Sequence, residues 1–363
     1  MGLTLASLAA LGAIVTLFVL GVLRSREPEA VQTPVVEVMG THARMTAVLP
    51  ADRVRRFRRL MSDRENADLS ETVFGPAVDQ LRMVDAKMST YMEGTEIRRL
   101  NDAPAGVFVE LSPETMTVLR ASRKLWHESG GAFDVTVRPV LQTWKSAAED
   151  DRPPTSQELQ LALAQTGWEN IELAEDGAIK HIDEATVDLG GIAKGYAIDQ
   201  AAAALQAHGC RGGLVDVGGD VLCFGENPAP GRTYWTVAIR NPFLPEAKTH
   251  FALLRIEKGA VCTSGNYLRF EEVEGKRRSH IKDPRTGLPA DVVPSVTVVA
   301  PTAMIADGWA TALSVLGPEG LPMLAEDSGV EAMIVTGGPK DYQVHTTPGF
   351  DRLYLRPPAE PAE

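Results

Sequence analysis

Residues Leu3 to Leu23 form a run of 21 amino acids without one charged side chain. As a helix, a run of that length rises about 31 Å, enough to cross a hydrocarbon core of about 30 Å. A water-exposed helix does not tolerate such a run, so the chain divides into a membrane-compatible N-terminus and a body that must fold without it. A cleaved signal peptide ordinarily starts with Lys or Arg, has a shorter apolar stretch and ends at a small-residue cleavage site. Here no Lys or Arg precedes the run and no such site follows it, so the expectation is an uncleaved transmembrane anchor at 1–23, with a cleaved signal as the alternative. No cysteine directly follows the run, which excludes lipoprotein attachment. Arg24 and Arg26 beyond the span favour a cytoplasmic body by the excess of positive charge on that side.

Residues 24–34 (RSREPEAVQTP) read as a polar linker, 35–355 as the folded body and 356–363 as a proline-rich disordered tail. The body is long enough for one large domain or two modest ones. A formal net charge of −12 argues against general nucleic-acid binding, which needs a basic footprint. An anionic substrate then requires a local cation. The run Arg53, Arg55, Arg56, Arg58, Arg59 reads as a solvated helix face rather than a lipid-headgroup site. Cys210, Cys223 and Cys262 form no CxxC pair and lie in apolar or glycine-rich surroundings, as small buried residues do.

Strands are expected around Met39-Gly40-Thr41, and at 214–217, 234–239, 251–256, 292–299, 332–335 and 342–345. After Gly75-Pro76, the residues Ala77, Leu81, Val84 and Met88 keep helical spacing. Ser112-Pro113 opens another helix, and Thr155-x-x-Glu158 is a capping box for the next. Alanine-rich 193–208 ends at Gly209, and 302–315 ends at Gly317. Strands and helices alternate without a βαβ rhythm, so the fold class is α+β.

Four clusters can carry chemistry. Asp188-Leu189-Gly190-Gly191-Ile192-Ala193-Lys194 runs into a helix start, where glycines let backbone approach a ligand and N–H groups attract phosphate. It is equally a tight turn. Asp216-Val217-Gly218-Gly219-Asp220 reads as a turn after a strand. His280, ahead of Asp283-Pro284-Arg285-Thr286-Gly287, has the near-neutral pKa of an acid or base, although a loop histidine is more often a surface residue. Asp307 and Thr311 stand at i and i+4 on one helical face and offer hard oxygens, as Mg2+ requires, or simply form a polar face. Zinc-hydrolase and serine-esterase motifs do not occur.

Taken in order, these clusters resemble the ApbE family, the FAD:protein FMN transferases. Met39-Gly40-Thr41, Met88-Ser89-Thr90-Tyr91 with Glu96 and Leu100-Asn101, and Gly131-Ala132-Phe133-Asp134 carry the first part of the resemblance. DLGGIAKGYAID at 188–199, VDVGGD at 215–220, CTSGNY at 262–267, SHIKDPRTG at 279–287 and ADGWATAL at 306–313 carry the rest. The resemblance implies a single flavin transferase domain that binds FAD with Mg2+ and attaches FMN through a phosphoester to Ser or Thr of an acceptor flavoprotein, releasing AMP. It implies Asp307, the Thr311 hydroxyl and the Gly191 carbonyl as metal ligands. Lys194 and Asp188 would contact FAD. Met39, Tyr91, Ala132, Phe133 and Asp134 would line its site, with Tyr91 stacked on a ring. His280 would assist proton transfer, an acidic group near the metal being the other choice of base. It also implies a body on the periplasmic side of the inner membrane, against the arginine rule.

Asp216 stands where the family often has Asn, and Asn266 where it often has Asp. Val135 and Arg138 replace frequent proline and glycine, and Trp309 is bulkier than usual. Two other readings compete: an FAD pyrophosphatase using water, and a membrane-anchored flavin-binding protein without turnover. Retention of Asp307, Thr311 and His280 together disfavours the second.

Overall fold

The computed structural model describes residues 29–55, 69–229, 231–246, 249–265 and 270–359. The expected anchor at 1–23 lies outside the described residues. Among those described, no helix is long and apolar enough to cross a membrane.

Among the described residues nine strands build the main sheet: β1 (Glu29–Gln32), β2 (Val36–Val38), β3 (Thr41–Leu49), β4 (Gly212–Val217), β5 (Asp220–Gly225), β6 (Gly259–Gly265), β7 (Ser295–Ala300), β8 (Glu331–Thr336) and β9 (Gln343–Thr346). Every pairing is antiparallel and, from β3 to β9, spatial order follows chain order. β1 and β2 lie end to end along the other edge of β3. The linker expectation is corrected here: residues 29–32 extend the sheet by pairing with Thr46–Leu49.

Among the described residues, the helices that accompany the sheet include α1 (Leu69–Met88), α2 (Glu96–Asp102), α3 (Pro113–Glu128), α4 (Arg138–Glu149), α5 (Ser156–Gln165), α6 (Ala193–Ala207) and α7 (Ala303–Leu316). The helix expected after Gly75-Pro76 begins earlier. Val73 and Phe74 already belong to the buried stripe continued by Ala77, Leu81, Val84 and Met88. Pro76 sits inside α1, where its missing N–H falls opposite exposed Thr72, which water can serve.

The sheet is covered on both faces. Leu222, Phe224, Ala260, Val296, Val298 and Ile334 face α1, α6 and α7 in the larger core. Their alternates Val221, Cys223, Val261, Val299, Met333 and Val335 pack against strands 235–240 and 250–256. Strand 354–356 completes that smaller sheet, so the tail expected from Arg356 begins inside a strand. Beyond it, the Ala359 carbonyl accepts from the Tyr342 hydroxyl. Cys210, Cys223 and Cys262 are all buried, as expected.

Candidate active site

Asp307 and Thr311 project from α7, and the start of that helix is doubly capped. The Thr302 hydroxyl accepts from Ile305 N at 3.3 Å. Asp199, on α6, accepts from Ala303 N at 2.7 Å and Met304 N at 2.9 Å. The two helices cross at Gly195, where a Cβ would lie 2.2 Å from the Ala303 carbonyl oxygen. Only glycine permits that approach, and it brings Gly195 N to Asp307 Oδ2 at 2.9 Å. Thr311 Oγ1 lies 3.5 Å from the Gly191 carbonyl oxygen, at the limit of a hydrogen bond. The Phe133 ring stands there too, 3.3 Å from where a Gly191 Cβ would be. Four expected site residues, from three separate segments, thus meet at one place.

Asp307 is 4% exposed. Burial pushes its carboxyl up to about 6, against the pull of Lys194; Asp220 adds to the rise. The Lys194 ammonium pairs with Asp220 Oδ2 and stands 3.9 Å from Asp307 Oδ1. Burial alone would lower the Lys194 pKa, but the two carboxylates outweigh it and raise it. Asp220 is 2% exposed, and its second oxygen accepts from Thr263 N at 2.8 Å. The Gly218-Gly219 turn that delivers Asp220 has φ of 66° and 97°, the paired positive values of a twist-matched hairpin.

A second group of expected residues is held by contacts of its own. Asp188 accepts from Gly190 N at 2.8 Å and from the Thr90 hydroxyl at 3.2 Å. That contact fixes the loop carrying Tyr91, whose side chain is 87% exposed. Asn101 holds the residue before Asp188 from both sides, donating to Val187 O at 2.9 Å and accepting from Val187 N at 2.8 Å. The buried Lys180 ammonium in turn donates to the Asn101 carbonyl at 2.6 Å. Met39 adopts φ 52° and donates its N–H to Asp85 Oδ2 at 3.1 Å. A non-glycine residue in that conformation is strained and needs such support.

Ala132 and Phe133 are buried. Asp134 Oδ1 accepts from Thr136 N at 2.8 Å and from its hydroxyl at 2.7 Å, so this oxygen caps a turn. Asp134 also lines a cavity of about 300 Å³ with Trp126, Gly131, Thr166 and Arg285. Arg285 brings the His280 loop to the Gly131 turn, 3.8 Å from where a Gly131 Cβ would be. His280 is half-buried, and its backbone neighbours are fixed: Ser279 N donates to Asp291 Oδ1 at 2.7 Å and Ile281 N to Ser279 Oγ at 3.1 Å. Asn266 lies outside the described residues.

Among the described residues no cluster of three His, Cys, Asp or Glu could hold a metal. The expected ligands supply one buried carboxylate, one hydroxyl and one carbonyl, while the neighbouring Asp220 carboxylate is taken up by Lys194. That set fits a small hard cation whose shell is completed by water and substrate oxygens, which is the habit of Mg2+. Sequence reasoning missed the roles of Asp220 and Asp199. Both lie inside quoted motifs, but their partners are far along the chain.

The ApbE family model matches residues 39–334. A Vibrio cholerae protein named FAD:protein FMN transferase is 34% identical over 275 residues, covering 74% of this chain and 81% of the relative. One of the same name from Escherichia coli K12 is 30% identical over 321 residues, covering 85% and 90%. The solved flavin transferase ApbE from Vibrio cholerae superposes with TM-score 0.75 at 30% identity, over 90% of this chain and 99% of that one. The apo form of Pseudomonas stutzeri flavinyl transferase ApbE gives 0.73 at 29% identity, over 90% and 97%.

Proposed function

The chain belongs to the ApbE family, and from that premise we propose that it is an Mg2+-dependent FAD:protein FMN transferase. The acceptor is a flavoprotein carrying a reactive Ser or Thr. The oxygen of that side chain bonds to the phosphorus on the FMN side of the FAD pyrophosphate. The bond from this phosphorus to the bridging oxygen breaks, and AMP leaves with that oxygen. The hydroxyl proton passes to a base, His280 or an acidic group near the metal.

The observation that carries this reading is the meeting of Asp307, Thr311, Gly191 and Lys194 between α6 and α7. Asp307, the Thr311 hydroxyl and the Gly191 carbonyl would hold Mg2+, which when bound neutralises charge on a pyrophosphate. Lys194 stands beside Asp307, and Lys194 and Asp188 would orient FAD. The exposed Tyr91 ring is free to stack on the substrate, while Met39, Ala132, Phe133 and Asp134 line the rest. Most catalysis by such a site is positioning and charge compensation.

The charge-free run at Leu3–Leu23 supports a membrane-anchored protein. We place its body on the periplasmic side, where a reporter fused after residue 363 would be active only in that orientation.

Incubation with FAD, Mg2+ and a candidate acceptor, followed by intact mass, tests the activity. A gain of one FMN on the acceptor with release of AMP is the expected result. AMP without that gain would make the enzyme a pyrophosphatase. FAD binding without AMP, whatever the divalent metal, would overturn both enzymatic readings.

A further inference from the structure

Three charges meet between β5, α6 and α7, and two are anchored to backbone. Asp220 cannot follow Lys194, because its Oδ1 is held by Thr263 N at 2.8 Å on β6. Asp307 cannot rotate freely either, because its Oδ2 is held by Gly195 N at 2.9 Å. Asp307 Oδ1 is left facing Lys194 at 3.9 Å, the outer edge of an ion pair, while Asp220 makes the close one. Among the described residues one ammonium serves two buried carboxylates, so this group of three keeps a net negative charge. A buried uncompensated charge is costly, and a divalent cation at Asp307 would relieve it. That cation would also sit beside the ammonium and be repelled by it.

Resting on the metal reading above, we propose that Asp220 is a positioning residue that parks the Lys194 ammonium, keeping Asp307 Oδ1 open to a divalent cation, and that Lys194 is the resident competitor of that cation. In Asp220→Asn the side-chain oxygen can still accept from Thr263 N, but the neutral amide no longer holds the ammonium. Among the described residues Lys194 then has only Asp307 to pair with, and the cation must displace a closer ion pair. Met at 194 removes the competitor and leaves both carboxylates to the cation. The two changes therefore act in opposite directions.

The test is Mn2+ binding to the full chain without FAD, followed by electron paramagnetic resonance. Lys194→Met is expected to bind Mn2+ about tenfold tighter than the parent and Asp220→Asn about tenfold weaker, as one charge at this range dictates. A merely structural disturbance would weaken both. Unchanged affinity in either variant, or weakening in both, would overturn the proposal. If a single variant does not fold, the double variant Lys194→Met/Asp220→Asn removes the pair without changing net charge. It should bind at least as tightly as the parent, and weaker binding would overturn the idea. Asp307→Asn separates the two levels. If it binds Mn2+ like the parent, or if the parent itself shows no saturable binding, the metal reading falls and this inference with it. If Asp307→Asn alone loses binding, only the parking role falls.

Discussion

Gly195 donates its N–H to Asp307 Oδ2 at 2.9 Å across a crossing in which its own Cβ, if present, would lie 2.2 Å from the Ala303 carbonyl oxygen. The absence of a side chain on α6 thus orients the carboxylate on α7. Gly195→Ala forces the helices apart, because the obstructing atom is backbone and cannot swing away. The variant should lose about 1–3 kcal/mol of stability, as overpacked cores do. AMP release should fall well beyond what the unfolded fraction explains. Denaturant unfolding alongside turnover checks both, and an alanine variant with parental turnover would show that the crossing does not set the carboxylate.

Asn101 replaces a strand partner for Val187, taking both its N–H and its C=O at 2.8 and 2.9 Å. Asn101→Leu keeps the branched outline of the side chain, although it is bulkier, and leaves both backbone groups unpaired in the core. Each unsatisfied buried group costs about 1–3 kcal/mol, so a loss of roughly 2–6 kcal/mol is expected by urea unfolding. Asp188 follows Val187, so the KM for FAD should rise more than kcat falls. Equal effects on the two constants would detach Asn101 from FAD positioning.

What the chain disclosed in advance depended on distance along it. Asp307 and Thr311 were legible as a pair because their relation is one helical turn, and Thr302 and Gly317 marked the ends of α7 through local capping chemistry. β5 and β6 were not anticipated as strands. Both their faces are buried, so no apolar–polar alternation marks them, and their glycines suggest turns. Arg138–Glu149 was missed although Pro139 near its start suits a helix opening. Pro76 misled in the other direction, because packing of Val73 and Phe74 carries α1 through it. The Lys194–Asp220 pair and the Asp199 cap join residues that no local pattern relates. Such contacts arise only once the sheet and the α6–α7 crossing exist.

Burial raises the Asp134 carboxyl from its ordinary 3.8 to about 6, although bonds from Thr136 favour its ionised form. Between those values the folded protein keeps a proton that the unfolded chain has released. The stability this group contributes is therefore fully present below the unfolded value and is lost as pH rises through about 6. A difference of that size corresponds to roughly 3 kcal/mol. Asp134→Asn removes the ionisation, and Asn can still accept from Thr136. Its stability relative to the parent should be greater at pH 7 than at pH 4.5, by chemical denaturation at each pH. A pH-independent difference between the two proteins would show that Asp134 is already ionised at low pH. Because Asp134 borders the proposed FAD site, the same variant should bind FAD less tightly despite its greater stability.

Thr311 offers the most discriminating substitution. Its hydroxyl lies 3.5 Å from the Gly191 carbonyl, too far to contribute much stability. Thr311→Val keeps the shape of the side chain and removes the oxygen. The variant should unfold within about 1 kcal/mol of the parent, the usual worth of one weak hydrogen bond. If the hydroxyl is a metal ligand, the loss appears instead in the Mg2+ dependence. Half-maximal AMP release should then need at least about tenfold more Mg2+, since one of three protein oxygens is gone. Thr311→Ser restores the oxygen without the methyl group and should return the Mg2+ dependence close to the parent's. The measurement is turnover against Mg2+ concentration for all three proteins at saturating FAD. A Val variant that matches the parent in Mg2+ dependence would remove Thr311 from the metal site and leave Asp307 and the Gly191 carbonyl as its protein ligands.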